Sequence, residues 1–245
     1  MKIKEIYDFL NALSPFSLQE SWDNSGLILG NMEDEFNNLA ITLDLDLEFL
    51  ESLENGALII THHPLIFSGL KKINFDSYAT KLLPIMIKKD LKLISMHTNI
   101  DKTHLNRYVM EKVLGFEVVN EDDFLLSGKI APTSFDDFYK MIQEKLGLEY
   151  KKVVKCQETI SSFSLTTGSG MSLLPQVKTD VFLTGDIKYH DAMEAKMKNI
   201  SLIDIGHYES EVHFNTVVYA ILEKYLKKNK ILAIIGQNQN PFEYK

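Results

Sequence analysis

The feature that most constrains the fold is a repeated one: short apolar runs that each end in a histidine or an aspartate. The clearest run covers residues 57–61, lies between Gly56 and Pro64, and leads directly into His62 and His63. A short apolar run bounded by turn-forming residues is typical of a buried strand, which would deliver both histidines to its carboxyl end. Two histidines at that point suit two neighbouring metal ions, although the pair alone fits a polar loop equally well.

Three further apolar runs end in the same way. Residues 91–96 lead into His97 and Asp101, residues 180–184 into Asp186, and residues 200–205 into His207. Four of the seven histidines of the chain therefore follow predicted strands, which a random distribution would not produce. Polar side chains that converge at strand ends are typical of a site in an α/β fold.

Helical segments separate these strands along the chain. Predicted helices cover residues 3–13, 45–55, 78–90 and 104–114. The last of them follows a strand that reaches residues 97–101, and Thr103 is its expected cap. The alternation of strands and helices predicts an α/β fold with a mostly parallel sheet and a metal site at the carboxyl ends of the strands.

We expect two interlinked α/β units. Residues 1–124 and 200–245 are predicted to form the main, metal-binding unit. Residues 125–199, in which short strands predominate, are predicted to form a second, smaller α/β unit, after which the chain returns to the first.

Composition restricts the location and the partners of the protein. No apolar run approaches the roughly 20 residues that cross a bilayer, and the N-terminus lacks the apolar core of a signal peptide, so we expect a cytoplasmic protein. The single cysteine, Cys156, excludes an internal disulfide framework and a cysteine-based zinc site. A net charge of −8 and the lack of long basic blocks argue against nucleic acid as a partner and leave a small-molecule substrate as the expected one.

The candidate metal ligands combine three imidazoles with two carboxylates. They are His62, His63, Asp101, His207 and Glu211. His207 and Glu211 are four residues apart, which puts both on one face of a helix that begins near Tyr208, although Glu211 alone also suits any helix N-terminus. A set rich in imidazole and free of thiolates suits Zn, Mn or Fe better than Mg or Ca. Five ligands are too few to close two metal shells, so water or substrate would complete them, as in a catalytic site.

Five motifs carry a resemblance to a known family. In chain order they are Trp22-Asp23-Asn24-Ser25-Gly26-Leu27, Thr61-His62-His63-Pro64, His97-Thr98-Asn99-Ile100-Asp101, Thr184-Gly185-Asp186 and Gly206-His207-Tyr208-Glu209-Ser210-Glu211. Together they resemble the dinuclear-metal toroidal hexamer family named GTP cyclohydrolase 1 type 2 homologues, over the whole chain.

This resemblance implies a ligand set, an assembly and an activity. It implies two divalent transition-metal ions per chain, one held by His62, Asp101 and Glu211 and the other by His63, His207 and the shared Glu211. It also implies a toroidal homohexamer. The family name refers to the opening of the imidazole ring of GTP with loss of formate.

The remaining histidines and one glycine-rich turn are weaker candidates. His97 fits a partner of the ligands or a general acid and base, and a hydrogen-bonded structural histidine fits equally well. His190 is a second, weaker catalytic candidate, whereas His104 and His213 lie in predicted helices and receive no role. Residues 168–170 open a predicted helix and match a phosphate-binding turn only weakly. Trp22 is interpreted as the anchor of a structural turn.

The residues favour a metal-dependent hydrolase, and the family resemblance implies a purine nucleotide as its nominal substrate. A phosphoesterase is the enzymatic alternative, because two-metal sites commonly cleave phosphate esters. A metal-binding hexamer that serves as a scaffold or regulator is the alternative without catalysis. His97 and His190, as spare acid and base groups, favour catalysis over the scaffold.

Overall fold

The structure is a computed structural model, and it describes residues 1–244. The chain folds into two units, each with its own sheet. The first unit contains Met1–Ile100 and Phe214–Gln239, and the second contains Asp101–His213 and the residues from Asn240 onward. Among the described residues, no helix has both the length and the apolar composition that a membrane crossing requires.

Most strands are short. In chain order they are β1 (Gly26–Leu29), β2 (Asn38–Thr42), β3 (Leu58–Thr61), β4 (Lys92–Ser95), β5 (Asn120–Asp122), β6 (Leu125–Ser134), β7 (Val153–Val154), β8 (Thr159–Leu165), β9 (Val181–Thr184), β10 (Ser201–Asp204) and β11 (Leu232–Ile235). The α-helices are α1 (Ile3–Leu13), α2 (Leu47–Ser52), α3 (Tyr78–Lys88), α4 (Thr98–Ile100), α5 (Asn106–Tyr108), α6 (Phe135–Leu146), α7 (Tyr189–Met197), α8 (His207–Glu211) and α9 (Phe214–Asn229). The chain also forms 3₁₀ helices at Phe16–Leu18 and Met171–Gln176, and π-helical turns at Asp101–Leu105 and Val109–Val113.

The first unit is built on a five-stranded sheet in the order β1-β4-β3-β2-β11. Strands β11, β2, β3 and β4 run parallel, and β1 pairs antiparallel with β4 at the edge. Every residue of β3 and β4 is buried, as in parallel strands that are covered on both faces. The register pairs Thr42 with Thr61 and Thr61 with Ser95, so β2, β3 and β4 end at the same level.

The second unit repeats this arrangement on a six-stranded sheet in the order β5-β6-β8-β9-β10-β7. Its centre is the parallel set β8, β9 and β10, and the other pairings are antiparallel. Phe182, Ile187 and Leu202 belong to the apolar cluster that packs against this sheet. Thr184 pairs with Asp204, so β9 and β10 also end at the same level.

The predicted α/β class with mostly parallel strands is confirmed, but the units divide at other residues than the sequence pattern predicts. Residues 101–124, 200–213 and 240–244 belong to the second unit and not to the first. Residues 200–213 belong to the second unit because the strand they contain, β10, pairs with β9 and β7 of that unit. Apolar patterning shows that a buried strand exists, but it does not show which sheet the strand joins.

Helical turns begin earlier than predicted in the segment that carries His97. The strand ends at Ser95 and α4 begins at Thr98, so the predicted strand over residues 97–101 is wrong. The backbone N–H of Thr98 donates to the Asp23 carboxylate at 3.1 Å, and that of His97 donates to Ser25 Oγ at 3.1 Å. These distant acceptors satisfy the first N–H groups of the helical turns, a task that local sequence usually performs.

Candidate metal site

Three imidazoles meet in the first unit where β3 and β4 end. Because the two strands end at the same level, His62 and His63 follow Thr61 close to His97, which follows β4. The ring centroids of His62 and His63 are 4.8 Å apart, and that of His97 lies 5.1 and 5.4 Å from them. One ring nitrogen of each residue lies within 4.8 Å of the other two, so the three side chains could hold a metal ion.

Each of these imidazoles is oriented through its Nδ1 atom. His62 Nδ1 lies 2.9 Å from the carbonyl oxygen of Met96, and His63 Nδ1 lies 2.8 Å from Asp44 Oδ1. His97 Nδ1 lies 2.8 Å from Asp23 Oδ1. Carbonyl and ionised carboxylate oxygens only accept hydrogen bonds, so the proton belongs on Nδ1 and the lone pair on Nε2. This tautomer, with its other nitrogen held by an oxygen, is the form in which histidine ordinarily binds metal.

Asp23 is the most constrained of these anchors, because its side chain is 0% exposed. Burial disfavours the charged carboxyl, but hydrogen bonds from His97, from Thr98 and from the Asn24 N–H outweigh it. The pKa of Asp23 therefore lies well below its ordinary value. The ionised carboxylate keeps the Nδ1 proton on His97 and stabilises any positive charge on that ring.

Asp44, the anchor of His63, is held in turn by a residue from the far end of the first unit. Asn238 Oδ1 accepts hydrogen bonds from Thr42 Oγ1 at 2.7 Å and from the Leu43 N–H at 2.8 Å. Asn238 Nδ2 donates to the carbonyl oxygen of Asp44 at 3.0 Å. One amide thus fixes the turn after β2 that presents Asp44 to His63.

The second unit carries a His–carboxylate pair on α8. His207 Nε2 lies 3.1 Å from Glu211 Oε2, as their spacing of four residues predicted. His207 Nδ1 lies 2.7 Å from Asp186 Oδ2, so this imidazole is oriented in the same way as the three in the first unit. Glu211 is almost completely buried, whereas His207 and Asp186 are partly exposed.

Asp204, the last residue of β10, joins the loop that carries Asp186 to the loop that leads into His207. Its carboxylate accepts the backbone N–H of Ile187 at 3.3 Å and that of Gly206 at 3.1 Å. These two residues are the immediate neighbours of Asp186 and His207. Lys152 Nζ lies 2.9 Å from the same carboxylate and offsets the charge that burial would otherwise disfavour.

The lack of a side chain at Gly168 leaves the space in which the Glu211 carboxylate lies. A Cβ atom at this position would overlap Glu211 Oε1 and lie 3.7 Å from His207 Nε2. The φ angle of Gly168 is +61°, a conformation that side chains rarely adopt. The turn at residues 168–170 was the weak phosphate-binding candidate, and in the structure Gly168 packs against the carboxylate instead.

The structure brings some of the predicted residues together within each unit. His62, His63 and His97 cluster in the first unit, and His207 and Glu211 pair in the second. Asp101 is buried at the first residue of a π-helical turn. His190 is exposed in the first turn of α7, its ring against Tyr189, and it belongs to no metal-competent group among the described residues.

Within each unit the donors fit a divalent transition metal by their chemistry. In the first unit the ligands are imidazole nitrogens, each with Nδ1 already occupied, and in the second unit the buried Glu211 carboxylate accompanies the imidazole of His207. The space beside Gly168 is also consistent with metal binding, because a side chain at residue 168 would displace the Glu211 carboxylate.

Sequence reasoning missed the roles of Asp44, Asn238 and Gly168. Asp44 had a usable signal, since it follows the apolar run at residues 39–43 just as the histidines follow theirs. No local sequence pattern indicates the role of Asn238, because it forms hydrogen bonds with a turn 194 residues away in the sequence. The role of Gly168 depends on its distance to Glu211, which only the folded second unit defines.

Comparison with known proteins finds relatives that match the whole chain. The model of the family Duf34/NIF3 (NGG1p interacting factor 3) matches residues 1–241. A Campylobacter jejuni protein named GTP cyclohydrolase 1 type 2 homolog is 44% identical over 245 residues, which is 100% of both chains. A Helicobacter pylori protein named GTP cyclohydrolase 1 type 2 is 42% identical over 98% of both chains. The crystal structure of a Staphylococcus aureus hypothetical protein matches with a TM-score of 0.87 at 26% identity, covering 100% of this chain and 99% of that one.

Proposed function

This chain belongs to the Duf34/NIF3 family, and from that premise we propose that it is a dinuclear-metal-dependent hydrolase. Its nominal reaction, taken from the name of its relatives, is the opening of the imidazole ring of GTP by water with loss of formate. The proposed ligands are His62 and Asp101 for one ion and His63 and His207 for the other, with Glu211 shared between the two.

The observation that carries this proposal is the common orientation of four imidazoles. His62, His63, His97 and His207 each have Nδ1 within 2.9 Å of an oxygen acceptor, so in each of them Nε2 is the nitrogen left to bind a metal ion. Structural histidines need no such common tautomer. Four of them at the carboxyl ends of parallel strands are typical of a metal site.

Two of the proposed ligands lie close, along the chain, to the points where it passes from one unit to the other. The chain passes from the first unit to the second between Ile100 and Asp101, and it returns between His213 and Phe214. Asp101 therefore begins the second unit four residues after His97. Glu211 precedes Phe214 by three residues, and the Phe214 ring lies 5.0 Å from that of His62. This short separation along the chain is what supports Asp101 and Glu211 as ligands in the proposal.

The chain's own residues then have distinct tasks. Bound divalent ions would polarise the substrate and lower the pKa of a water molecule. We assign His97 the role of acid and base, with Nε2 exchanging the proton while Asp23 keeps Nδ1 protonated and stabilises the charged ring. His190 remains a second candidate for this task, and its exposure makes it the weaker one.

Metal content and product analysis test the proposal together. We expect about two transition-metal ions per chain after reconstitution with Zn, Mn or Fe, and by family resemblance a particle of about six times 28.1 kDa. The loaded protein is incubated with GTP and with a panel of phosphoesters. Release of formate supports the cyclohydrolase reaction, release of phosphate alone makes the protein a phosphoesterase, and full metal with no product makes it a scaffold. One ion or fewer per chain contradicts the dinuclear site.

The variant His97→Ala separates the roles of the imidazoles. If His97 is the acid and base, its loss should leave the metal content unchanged and lower turnover by roughly 10²–10⁴-fold. If the metal is lost as well, His97 is a ligand. If turnover is unchanged, His97 is structural, and His190→Ala becomes the next variant to measure.

A further inference from the structure

Two large aromatic side chains stand exposed beside the imidazole cluster of the first unit. Trp22 is 55% exposed and Phe67 is 50% exposed, although both are large apolar residues. Their ring centroids are 5.7 Å apart, and they lie 6.1 and 6.2 Å from the ring of His97. Exposed aromatic surface next to converging polar groups is typical of a ligand site.

The backbone beneath these rings is held firmly. Asp23, the neighbour of Trp22, is fully buried and accepts hydrogen bonds from His97 and Thr98. Asn24 Nδ2 donates to the carbonyl oxygen of Ile66 at 2.5 Å, which joins the Trp22 turn to the loop that carries Phe67. The exposure of the two rings is therefore a property of an ordered surface, and ordering its residues adds little to the cost of binding.

The geometry of the two rings indicates how a ligand would use them. A ring held between two others needs about 7 Å between the outer planes, since each contact takes about 3.5 Å. At 5.7 Å and an angle of 38°, Trp22 and Phe67 touch each other and leave no room between them. A ligand would instead lie on their exposed faces, as a flat ring does on an aromatic surface.

We propose that Trp22 and Phe67 form a stacking surface that binds the planar heteroaromatic ring of the substrate. This stacking surface makes both residues specificity-determining, and the inference rests on the proposed function because it assigns the ring to the substrate of that site. Aliphatic ligands would gain contact area there but no stacking, so flatness is the property that the surface selects.

Trp22 is the only tryptophan of the chain, so its fluorescence reports on this surface directly. The full-length protein is titrated with guanosine as the planar probe, and with ribose 5-phosphate and tetramethylammonium as probes without a planar ring. We expect saturable quenching by guanosine alone. Quenching by tetramethylammonium alone would identify a cation site and overturn the proposal. A Trp22 signal that changes with protein dilution and ignores guanosine would mean that a second copy covers the rings, which would overturn it as well.

Variants of Phe67 supply the second measurement, with guanosine affinity determined by calorimetry. Phe67→Leu removes the flat face and should weaken binding by at least about 5-fold, whereas Phe67→Tyr should retain it. Phe242→Leu, at another exposed aromatic residue, is the matched control and should bind as the natural protein does. Equal affinity in Phe67→Leu would overturn the stacking surface.

Metal content measured in the same samples separates this inference from the proposed function. Two ions per chain without guanosine binding would refute the stacking surface alone. Guanosine binding that depends on Phe67 in a protein that takes up no metal would refute the hydrolase alone.

Discussion

Both units orient an imidazole through a carboxylate at its Nδ1 atom, but the carboxylates Asp23 and Asp186 differ in burial. In both, parallel strands end at the same level, and the residues that follow carry imidazoles whose Nδ1 atoms meet carboxylates. In the first unit, the pair of His97 and Asp23 is 12% and 0% exposed, whereas the pair of His63 and Asp44 is 26% and 46% exposed. In the second, His207 and Asp186 are 37% and 49% exposed.

This difference bears on how firmly each donor is oriented. A buried carboxylate–imidazole pair keeps its strength because no water competes for it, whereas an exposed pair contributes about 0–1 kcal/mol. The first unit therefore fixes His97 through the buried Asp23, whereas its His63 depends on Asp44, which is about as exposed as Asp186. The second relies on the buried Glu211 and on Asp204, which ties the two loops through their backbone N–H groups. Variants of the ligands and of their anchors test whether this difference in burial affects metal binding, turnover and stability.

The largest effect is expected from Glu211→Gln, which removes the negative charge that we propose the two ions share. Two cations held close together repel each other, and a neutral amide does little to offset that repulsion. We expect the metal content to fall from about two ions per chain to one or none, with the circular dichroism spectrum unchanged. Elemental analysis and circular dichroism provide the two measurements.

Glu209→Gln is the matched control for this variant. Glu209 lies on the same short helix but accepts a hydrogen bond from Asn240 Nδ2 at 2.8 Å, which a glutamine oxygen can still accept. It should keep both ions. If Glu211→Gln keeps two ions as well, the shared-ligand role is wrong.

A smaller effect, and the direct test of the contrast, comes from neutralising the two anchors. Because His97 is the proposed acid and base and not a ligand, Asp23→Asn should lower turnover by roughly 10- to 100-fold, as is usual when an orienting partner is lost, and should not weaken metal binding. Asp186→Asn should weaken it by about 5-fold or less, because solvent already competes for that pair. Titration of the metal-free proteins with Zn under a competing chelator measures both affinities, and product release by the metal-loaded proteins measures turnover.

Thermal unfolding of the same two variants tests how much each carboxylate contributes to the stability of the fold. Asp23 Oδ2 accepts hydrogen bonds from the Thr98 N–H and from Ser25 Oγ, so an amide group there would leave donors facing each other. The free energy of unfolding should fall by about 1–3 kcal/mol in Asp23→Asn and stay nearly unchanged in Asp186→Asn. Equal losses in both variants would remove the contrast between the units.

The same contrast explains how far the sequence could predict this molecule. Apolar runs, helix spacing and turn residues were enough for the α/β class and for the strand ends that carry the histidines, because those signals are local. The residues that orient the histidines come from elsewhere in the chain, as Asn238 does for the Asp44 turn and Asp23 for His97. The assignment of β10 to the second sheet likewise depends on pairing between distant segments.

The smallest effect is expected from Gly168→Ala, compared with Gly147→Ala in the same unit. Both glycines have positive φ, +61° and +66°, so alanine should cost roughly 1–2 kcal/mol of folding free energy at either position. Only at Gly168 does the new methyl group meet Glu211 Oε1, whereas nothing lies within 4 Å at Gly147. Because the Glu211 carboxylate ends a flexible side chain, it can rotate away, and the extra cost then appears in metal binding. We expect similar melting temperatures for the two variants and a several-fold weaker affinity for metal in Gly168→Ala alone. Equal affinities would mean that Glu211 is not held against Gly168 in the metal-bound protein.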